Sequence, residues 1–441
     1  MDPVRLASDL FASPSRSFAV SLWNGLVLAP GRDGGVCGRI ALARPSALDV
    51  LLPPVSEYAL SQAYLDGDFE LEGDAIGLLE AAARWEGPRL RATIVTAAIR
   101  SWLRRAWPAG GARPPEKRLR GRAHSVARDR DAVRQHYDLS NDFYRLFLDP
   151  ALVYSCGYFA SGRETLAEAQ RAKLELICRK LHLAPGQRLL DVGCGWGALL
   201  AYAAIRHGVD GLGITLSENQ LAVARRRLAR VRGRRLEAVA ADYRTLDPGE
   251  PFDKVASVGM MEHVGRARLD DYFGAMRRLT RPGGLFLNHA IADVASGVTT
   301  LPWAGRGRGG FIGRTIFPDS ELLPVGEVVT AAERSGFEVR DLESLREHYA
   351  ETLAAWLGRL EARYGEAEAL VGHRRARAYR LYLASSAAAF RLGRIGVFQL
   401  LLARRTEAGR AEGVPRCRAD WYEPALGAAP REWARRAGRR G

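Results

Sequence analysis

The sequence predicts an α/β protein whose main domain has a doubly wound, mostly parallel, Rossmann-like sheet, preceded by a small mixed α/β domain. From about residue 165, short apolar strands alternate with helices. A glycine-rich loop, "DVGCGWG" (191–197), directly follows one of these strands. Strands separated by helices are typical of a parallel sheet that is covered on both faces.

Residues 1–95 are predicted to form the small domain. The segments "FAVSLWNGLVLAP" (18–30) and "GGVCGRIALARP" (34–45) are typical of strands with a Gly-rich turn between them. Residues 46–85 are interpreted as helices and loops.

Residues 96–130 differ in composition from their surroundings and are predicted to be a basic linker. They carry many arginines and few acids, with Trp102, Leu103 and Trp107 beside the charge. One interpretation is a solvated connector. The other is a basic amphipathic helix that contacts a membrane surface. The sequence leaves both open.

The main domain is predicted to span residues 131–441. Its strands are expected in "QRLLDVG", "VDGLGITL", "RLEAVAAD", "FDKVASVGM" and "GGLFLNHAI", with helices between most of them. The stretch 340–441, including 379–405, is interpreted as helical, and "AWLGRLEARYG" (355–365) is expected to cover the site. Ligands of such sheets bind beyond the carboxyl ends of the strands.

The glycine loop is the first indication of a cofactor. Gly193, Gly195 and Gly197 allow a tight turn and a close approach of the backbone to a ligand, and Asp191 precedes them. Dinucleotide enzymes use a related loop, but the bulky Trp196 suits a pyrophosphate at a helix N-terminus poorly.

A second polar cluster, "ADYR" (241–244), follows the third strand, where Asp242 is placed to accept a hydrogen bond from an adenine amino group. Loop and cluster together favour S-adenosylmethionine (SAM) over NAD or a purely structural loop. The second strand ends in Thr215 rather than in an acid, so Thr215 and Gln220 are predicted to contact the ribose and methionine region.

Two titratable residues follow the next two strands. Glu262 lies in "SVGMMEHVG", and His289 ends the strand "LFLNHAI". Because both should face the cofactor crevice, they are a candidate acid–base pair. The alternative is an ordinary salt-linked pair. His263 is interpreted as structural.

The net charge and the cysteine content limit the functions that the chain can have. The 441 residues carry a net charge of +15, almost all of the cations being arginine. This charge implies attraction to polyanions, either an anionic membrane face or nucleic acid, although a GC-rich genome would also enrich arginine. The five cysteines are scattered, which favours a reduced cytosol and no metal site. No signal peptide or membrane span is expected.

Five motifs in order carry a family resemblance: "HYDLSNDFYRLFLDPALVYSCGYF", "AKLELICRKLHLAPGQRLLDVGCGWG", "GITLSENQ", "SVGMMEHVG" and "FIGRTIFPDSELLP". The chain resembles the cyclopropane-fatty-acyl-phospholipid synthase family, which includes the mycolic acid cyclopropane synthases. The resemblance is dense over residues 130–405 and weaker over "ALSQAYLDGDFELEGD" (59–74).

The resemblance implies a seven-stranded class I SAM methyltransferase domain and an N-terminal domain of a lipid-binding or dimerising type, with a homodimer possible. The implied reaction transfers a methylene from SAM to the cis double bond of an unsaturated phospholipid acyl chain. The enzyme would be cytoplasmic and peripherally associated with the anionic inner face of the membrane, and would not bind nucleic acid. Family members are understood to hold bicarbonate as the base.

Carried over, the bicarbonate site would comprise the Cys156 and Ile291 backbones, Glu262, His289 and Tyr349. Glu262 would orient the bicarbonate rather than take the proton. Tyr137, Tyr154 and Phe159 would stabilise a developing cation or serve as core residues. Several relatives have a cysteine where this chain has Ser386. The implied SAM contacts are Tyr137, Tyr154, Ser155, Asp191, Gly193, Gly195, Gly197, Thr215, Gln220, Asp242 and Tyr243.

Three rival functions remain open at this point. The acyl cation could yield a methylene-branched or methyl-branched chain instead of a ring. A small-molecule N-methyltransferase would share the fold. A nucleic-acid methyltransferase would suit the charge, but it would want an N-P-P-Y-type loop where the chain has "GMMEHVG".

Overall fold

The structure is a computed structural model. It describes residues 2–13, 15–31, 37–52, 55–85, 94, 96–98, 128–129, 139–294, 310–411 and 414–422. Most of the predicted basic linker and Tyr137 lie outside these residues.

The N-terminal part forms a small four-stranded sheet in the order β2-β1-β3-β4. Strand β1 pairs antiparallel with β2 and parallel with β3. The side chains of Asp2, Ser56 and Asp74 cap three helices by accepting backbone N–H bonds in the first turn. The elements are α1 (Pro3–Leu10), β1 (Ala19–Ser21), β2 (Val27–Leu28), β3 (Gly38–Leu42), α2 (Glu57–Leu65), β4 (Phe69–Gly73) and α3 (Ala75–Arg84).

The main sheet runs in the order β11-β12-β9-β8-β5-β6-β7, with the short β10 beside β9. All neighbours from β9 to β7 are parallel, and β12 is antiparallel to both β9 and β11. The strands are β5 (Arg188–Val192), β6 (Asp210–Thr215), β7 (Leu236–Ala240), β8 (Phe252–Val258), β9 (Thr280–Asp293), β10 (Leu323–Pro324), β11 (Glu338–Ser344) and β12 (Ile395–Ala403). The predicted doubly wound, mostly parallel sheet is confirmed.

Alternating side chains of the central strands enter two separate cores. Leu189 and Leu287 pack with one set of helices, whereas Leu190 and Phe286 pack with the other. Both faces of the sheet are therefore covered, as the continuous apolar strands predict. The helices are α4 (Asn141–Phe147), α5 (Leu166–Lys180), α6 (Ala198–His207), α7 (Glu218–Leu228), α8 (Leu269–Leu279), α9 (Val325–Arg334), α10 (Arg346–Ala362), α11 (Tyr364–Val371), α12 (His373–Arg391) and α13 (Ala419–Tyr422).

The prediction of a helical stretch from 340 onward is wrong in part. Helix α12 ends at Arg391, Gly393 follows with a positive φ of 67°, and residues 395–403 form β12 between β9 and β11. Residues 338–344 form the edge strand β11. Local propensity misleads here because a Leu-rich run can be a buried helix or a buried strand. Strand β4, at residues 69–73, also lies within a segment interpreted as helix and loop; its sequence FELEG is short and is fixed as a strand by its pairing with β3.

Helix α12 also contacts the N-terminal part. Arg377 is only 5% exposed and donates to the Tyr64 carbonyl (2.8 Å), with its guanidinium 4.1 Å from the Tyr64 ring centroid. Arg380 donates to the Leu71 carbonyl (3.1 Å) and to the Tyr64 hydroxyl (3.0 Å). The N-terminal part is thus bonded to a helix that also reaches the candidate site.

Candidate functional site

A cavity opens at the carboxyl ends of β5, β6 and β7, where a parallel sheet binds its ligands. It is lined by nine of the eleven predicted cofactor residues, namely Tyr154, Ser155, Asp191, Gly193, Gly195, Thr215, Gln220, Asp242 and Tyr243. Gly197 does not line it, and Tyr137 lies outside the described residues. The structure therefore brings together residues that are separated by up to 89 positions in the sequence.

The glycines of the loop have different roles. Gly193, Gly195 and Gly197 all have positive φ, between 53° and 78°. A Cβ on Gly197 would lie 3.1 Å from the Ala224 Cβ, so Gly197 is required for packing against α7. A Cβ on Gly195 would meet nothing within 4 Å, which leaves that side of the loop open to a ligand.

Trp196 connects the loop to α4. Its indole N–H donates to the Asn141 Oδ1 (2.8 Å), and its carbonyl accepts from Arg227 (2.8 Å). Trp196, whose bulk argued against a pyrophosphate site, therefore holds the glycine loop against α4. The segment that follows α4 carries the site residues Tyr154 and Ser155.

The polar side chains at the ends of β6 and β7 are bonded within the protein. The Thr215 hydroxyl donates to the Gln220 Oε1 (3.0 Å). The Asp242 carboxylate accepts from Arg244 at both oxygens (2.8 and 2.6 Å), and Arg244 also pairs with Asp129 (2.9 Å). These contacts hold Thr215, Gln220 and Asp242 in fixed orientations. Their predicted roles toward ribose and adenine stay predictions.

Glu262 follows β8 by four residues, and His289 lies on β9, where it pairs with the last residue of β8, Val258. The Glu262 Oε1 accepts the Ile291 backbone N–H (2.7 Å), and Ile291 is two residues beyond His289 on the same face of β9. The N–H expected to hold an anion is therefore already bonded to Glu262. A salt-linked pair is not formed, because His289 bonds to Gln399 and not to Glu262.

The Gln399 amide group sets the state of His289. Its nitrogen lies 3.2 Å from the His289 Nδ1, and with the amide in this orientation Nδ1 accepts and Nε2 carries the proton. Burial lowers the pKa of His289 well below its usual value, which keeps the ring neutral. Burial also raises the pKa of Glu262 to about 7.

Two polar atoms of this pair have no partner. Among the residues that the structure describes, neither the Glu262 Oε2 nor the His289 Nε2 has a hydrogen-bond partner, and both atoms are buried. Buried groups of this kind are rare in native proteins and need an explanation, such as a bound ion or water. One atom accepts and the other donates, which are the two kinds of contact that a small polar ligand such as bicarbonate needs.

Cys156 and Tyr349 converge on Leu345, at the start of α10. The Tyr349 N–H donates to the Leu345 carbonyl (3.1 Å), and the Cys156 thiol lies 3.7 Å from the same oxygen. Leu345 in turn donates to Val397, the neighbour of Ile291 in the sheet. Burial raises the pKa of Cys156 far above its usual range, so its thiol is not a nucleophile.

Aromatic side chains surround Tyr154. Its ring lies 5.1 Å from Trp356 and 5.4 Å from Tyr144, and its hydroxyl lies 3.4 Å from that of Tyr382 on α12. Trp356 belongs to the segment expected to cover the site. Phe159 is buried, and Ser386 is half-buried on α12. Whether Tyr154 and Phe159 stabilise a cation stays a prediction.

Two residues of the site were missed from the sequence. Lys173 lines the cofactor cavity, and Gln399 contacts His289. Gln399 could not have been found, because it lies in the stretch interpreted as helix. Arg244 belongs to the predicted "ADYR" cluster, but its bond to Asp242 was not predicted.

Fold and cavity together define a class I SAM-dependent methyltransferase. The comparisons agree: the crystal structure of a mycolic acid cyclopropane synthase complexed with SAH and CTAB matches at 37% identity and a TM-score of 0.57. That match covers 62% of this chain and 97% of the other.

The family model for mycolic acid cyclopropane synthetase matches residues 124–400, and the chain belongs to this family. A probable fatty acid methyltransferase of Pseudomonas putida is 39% identical over 91% of this chain and 95% of its own length. The cyclopropane-fatty-acyl-phospholipid synthase of Escherichia coli K12 is 37% identical over 63% of this chain and 68% of its own length. The resemblance predicted from the motifs is confirmed.

Proposed function

We propose that this enzyme transfers a methylene from SAM to the cis double bond of an unsaturated phospholipid acyl chain and closes a cyclopropane ring. The observation that carries the proposal is the buried pair of unpartnered atoms, the Glu262 Oε2 and the His289 Nε2. A simple methyl transfer to an amine needs no such site. Ring closure needs a base for a proton of the newly added methyl group.

Different residues of the chain have different roles in this reaction. SAM, when bound, supplies the electrophilic methyl group, and bicarbonate, when bound, supplies the base. Gln399 keeps the donor of His289 on Nε2, and the Ile291 N–H keeps the Glu262 carboxyl group oriented. Tyr349, from α10, and the Cys156 backbone would complete the anion site. The aromatic rings around Tyr154 exclude water, which would otherwise capture an acyl cation.

A membrane phospholipid is the proposed substrate because the chain is strongly basic, with a net charge of +15. Such a charge favours the anionic inner face of a membrane, where unsaturated acyl chains are available. No helix among the described residues is long and apolar enough to span a bilayer. The arginines proposed for docking, Arg104, Arg105 and Arg118, lie outside the described residues, and a homodimer also stays a prediction.

The test is incubation with methyl-labelled SAM and vesicles of mixed unsaturated phospholipids, followed by lipid extraction and mass spectrometry. The expected product is an acyl chain that is one CH₂ heavier and carries a ring. Label in water-soluble amines and none in lipid would contradict the proposal. Arg104, Arg105 and Arg118 changed together to Glu should lower turnover on vesicles much more than on detergent-dispersed lipid, whereas an equal loss in both would contradict membrane docking.

A second candidate is a fatty acyl C-methyltransferase that gives a methylene-branched or methyl-branched chain. The observation that favours it is the near full-length match to a probable fatty acid methyltransferase. A ring and a methylene branch have equal mass but fragment differently, and a saturated methyl branch, which would also need a hydride donor as a co-reactant, is heavier by two hydrogens. The same lipid analysis therefore separates all three products.

A further inference from the structure

Helix α10 holds the segment 156–159 by accepting two of its backbone N–H groups. The Gly157 N–H donates to the Thr352 Oγ1 (2.9 Å), and the Phe159 N–H donates to the His348 Nδ1 (3.0 Å). The Thr352 hydroxyl donates its own proton to the His348 carbonyl (2.6 Å), one turn earlier in the helix. Because residues four apart lie on one face of a helix, His348 and Thr352 act on this segment together.

The Cys156 N–H is the exception in this segment. The Tyr158 N–H donates to the Ala169 carbonyl on α5 (2.9 Å), so the N–H groups of the three residues after Cys156 are all bonded. The Cys156 N–H has no hydrogen-bond partner among the residues that the structure describes, although Cys156 is fully buried. A buried N–H without a partner is rare, and it indicates a place where a bound ion or water completes the bond.

Helix α10 also carries Tyr349, which lies on the turn between His348 and Thr352. Tyr349 is buried, and its ring centroid lies 4.8 Å from that of Phe390 on α12. One helix therefore fixes both Tyr349 and the segment that contains the Cys156 backbone, the two groups proposed to complete the anion site.

The bond to the Phe159 N–H requires a neutral His348 ring whose Nδ1 carries no proton. The Tyr158 ring stacks on this imidazole, with centroids 4.6 Å apart and an interplanar angle of 21°. Burial lowers the pKa of His348, which favours the neutral ring. Nearby carboxylates act in the opposite direction, namely those of Glu343, Glu351, Glu347 and Glu164.

We infer that His348 and Thr352 are positioning residues for the proposed anion site: they hold the segment 156–159 so that the Cys156 N–H keeps a fixed position relative to Tyr349. They act through the Cys156 backbone, and neither of them lines the cofactor cavity. The inference rests on the proposed function, in which bicarbonate is the base.

The test is the bicarbonate dependence of label transfer from SAM to unsaturated phospholipid vesicles in CO₂-depleted buffer. In wild type, turnover should rise with bicarbonate and saturate. Thr352→Val removes the acceptor at nearly constant volume and should raise the half-saturating bicarbonate concentration about fivefold, the contribution of one hydrogen bond. Thr352→Ser keeps the hydroxyl and should stay within about twofold of wild type.

His348→Leu should give a shift of the same size. His348→Asn should keep the wild-type value, because the amide Oδ1 accepts in the place of Nδ1. S-adenosylhomocysteine (SAH) should bind all four variants within about twofold of wild type, which also shows that they are folded. Thr330→Val on α9 is the matched control, because that hydroxyl makes the same kind of bond to the carbonyl four residues earlier, that of Gly326 (2.8 Å).

The inference would be overturned if Thr352→Val and His348→Leu both kept the wild-type bicarbonate value, or if Thr330→Val shifted it equally. If Thr352→Val does not fold, the two His348 variants decide, and equal shifts in Leu and Asn would be contrary to the inference. A wild type that closes rings without any response to bicarbonate would contradict the proposed base, and the inference with it. A normal wild-type response with unchanged variants contradicts the inference alone.

Discussion

The two halves of the site differ in how their polar groups are satisfied. On the cofactor side, Thr215 is bonded to Gln220, and Asp242 is bonded to Arg244. On the reaction side, the Glu262 Oε2 and the His289 Nε2 are buried and have no partner among the described residues. An unpaired buried polar group costs about 1–3 kcal/mol.

This difference indicates that the polar groups of the cofactor side are bonded within the protein, whereas those of the reaction side need a ligand as their partner. At the ends of β6 and β7 the protein fixes its own side chains, so loss of one contact should weaken binding moderately. On the reaction side the protein leaves one hydrogen-bond donor and one acceptor free for a ligand. Loss of one contact there should therefore remove catalysis. The following predictions test this difference, from the largest expected effect to the smallest.

Glu262→Gln should lower kcat by about 10²–10³-fold, the usual cost of removing one fixed hydrogen-bond partner of the reacting groups. SAH affinity should remain within about twofold of wild type, because Glu262 does not line the cofactor cavity. Wild-type kcat should rise with pH through about 7, as Glu262 ionises and can accept a hydrogen bond. The matched control is Glu321→Gln, an adjacent carboxylate paired with Arg266; equal losses in both variants would contradict the assignment.

Gln399→Met should lower kcat about tenfold, because the His289 Nδ1 loses its donor and the proton on Nε2 is no longer fixed. The methionine side chain keeps the volume of the glutamine, so the fold should persist. The measurement is single-turnover kinetics together with SAH binding. A rise in the SAH dissociation constant without a change in kcat would place Gln399 on the cofactor side instead.

Arg244→Met should raise the KM for SAM about fivefold and leave kcat within about twofold, because Asp242 loses the cation that orients it. Arg235→Met is a control, since that arginine bonds Asp210 (3.0 Å) at the opposite end of β6. A loss of kcat as large as that of Glu262→Gln would contradict the proposed difference between the cofactor side and the reaction side.

Glu262→Gln should also make the protein more stable above pH 7. The pKa of Glu262 is raised in the folded state, from 4.5 to about 7, so its stabilising contribution is complete below pH 4.5 and is lost as the pH rises to about 7. Above pH 7 the glutamine avoids a buried charge, a gain of up to about 3 kcal/mol. Denaturant unfolding at pH 5, 6, 7 and 8 gives the free energy of unfolding of the variant and of wild type. The difference between the two should grow up to pH 7 and stay constant above it. A difference that does not vary with pH would contradict this prediction.

Much of the cofactor side could be predicted from the sequence because its residues belong to short segments that are continuous in the chain. Asp191 and the three glycines belong to one strand–loop–helix unit, and Asp242 follows a strand by two residues. Parallel strands bring their carboxyl ends to one edge, so the motifs alone place these residues together. The part of the reaction side that was recognised, Glu262 and His289, was recognised for the same reason.

What the sequence by itself determined is the parallel sheet, its cofactor edge and the family, since each depends on short segments with a periodic or motif signal. Only the tertiary structure decided that residues 395–403 form β12, which places Gln399 against His289, and that Lys173 lines the cofactor cavity and bonds Ser155. The physical reason is that a Leu-rich segment or a lone buried lysine has no local preference that fixes its partner. Its partner is fixed only when strands distant in the sequence pair and exclude water.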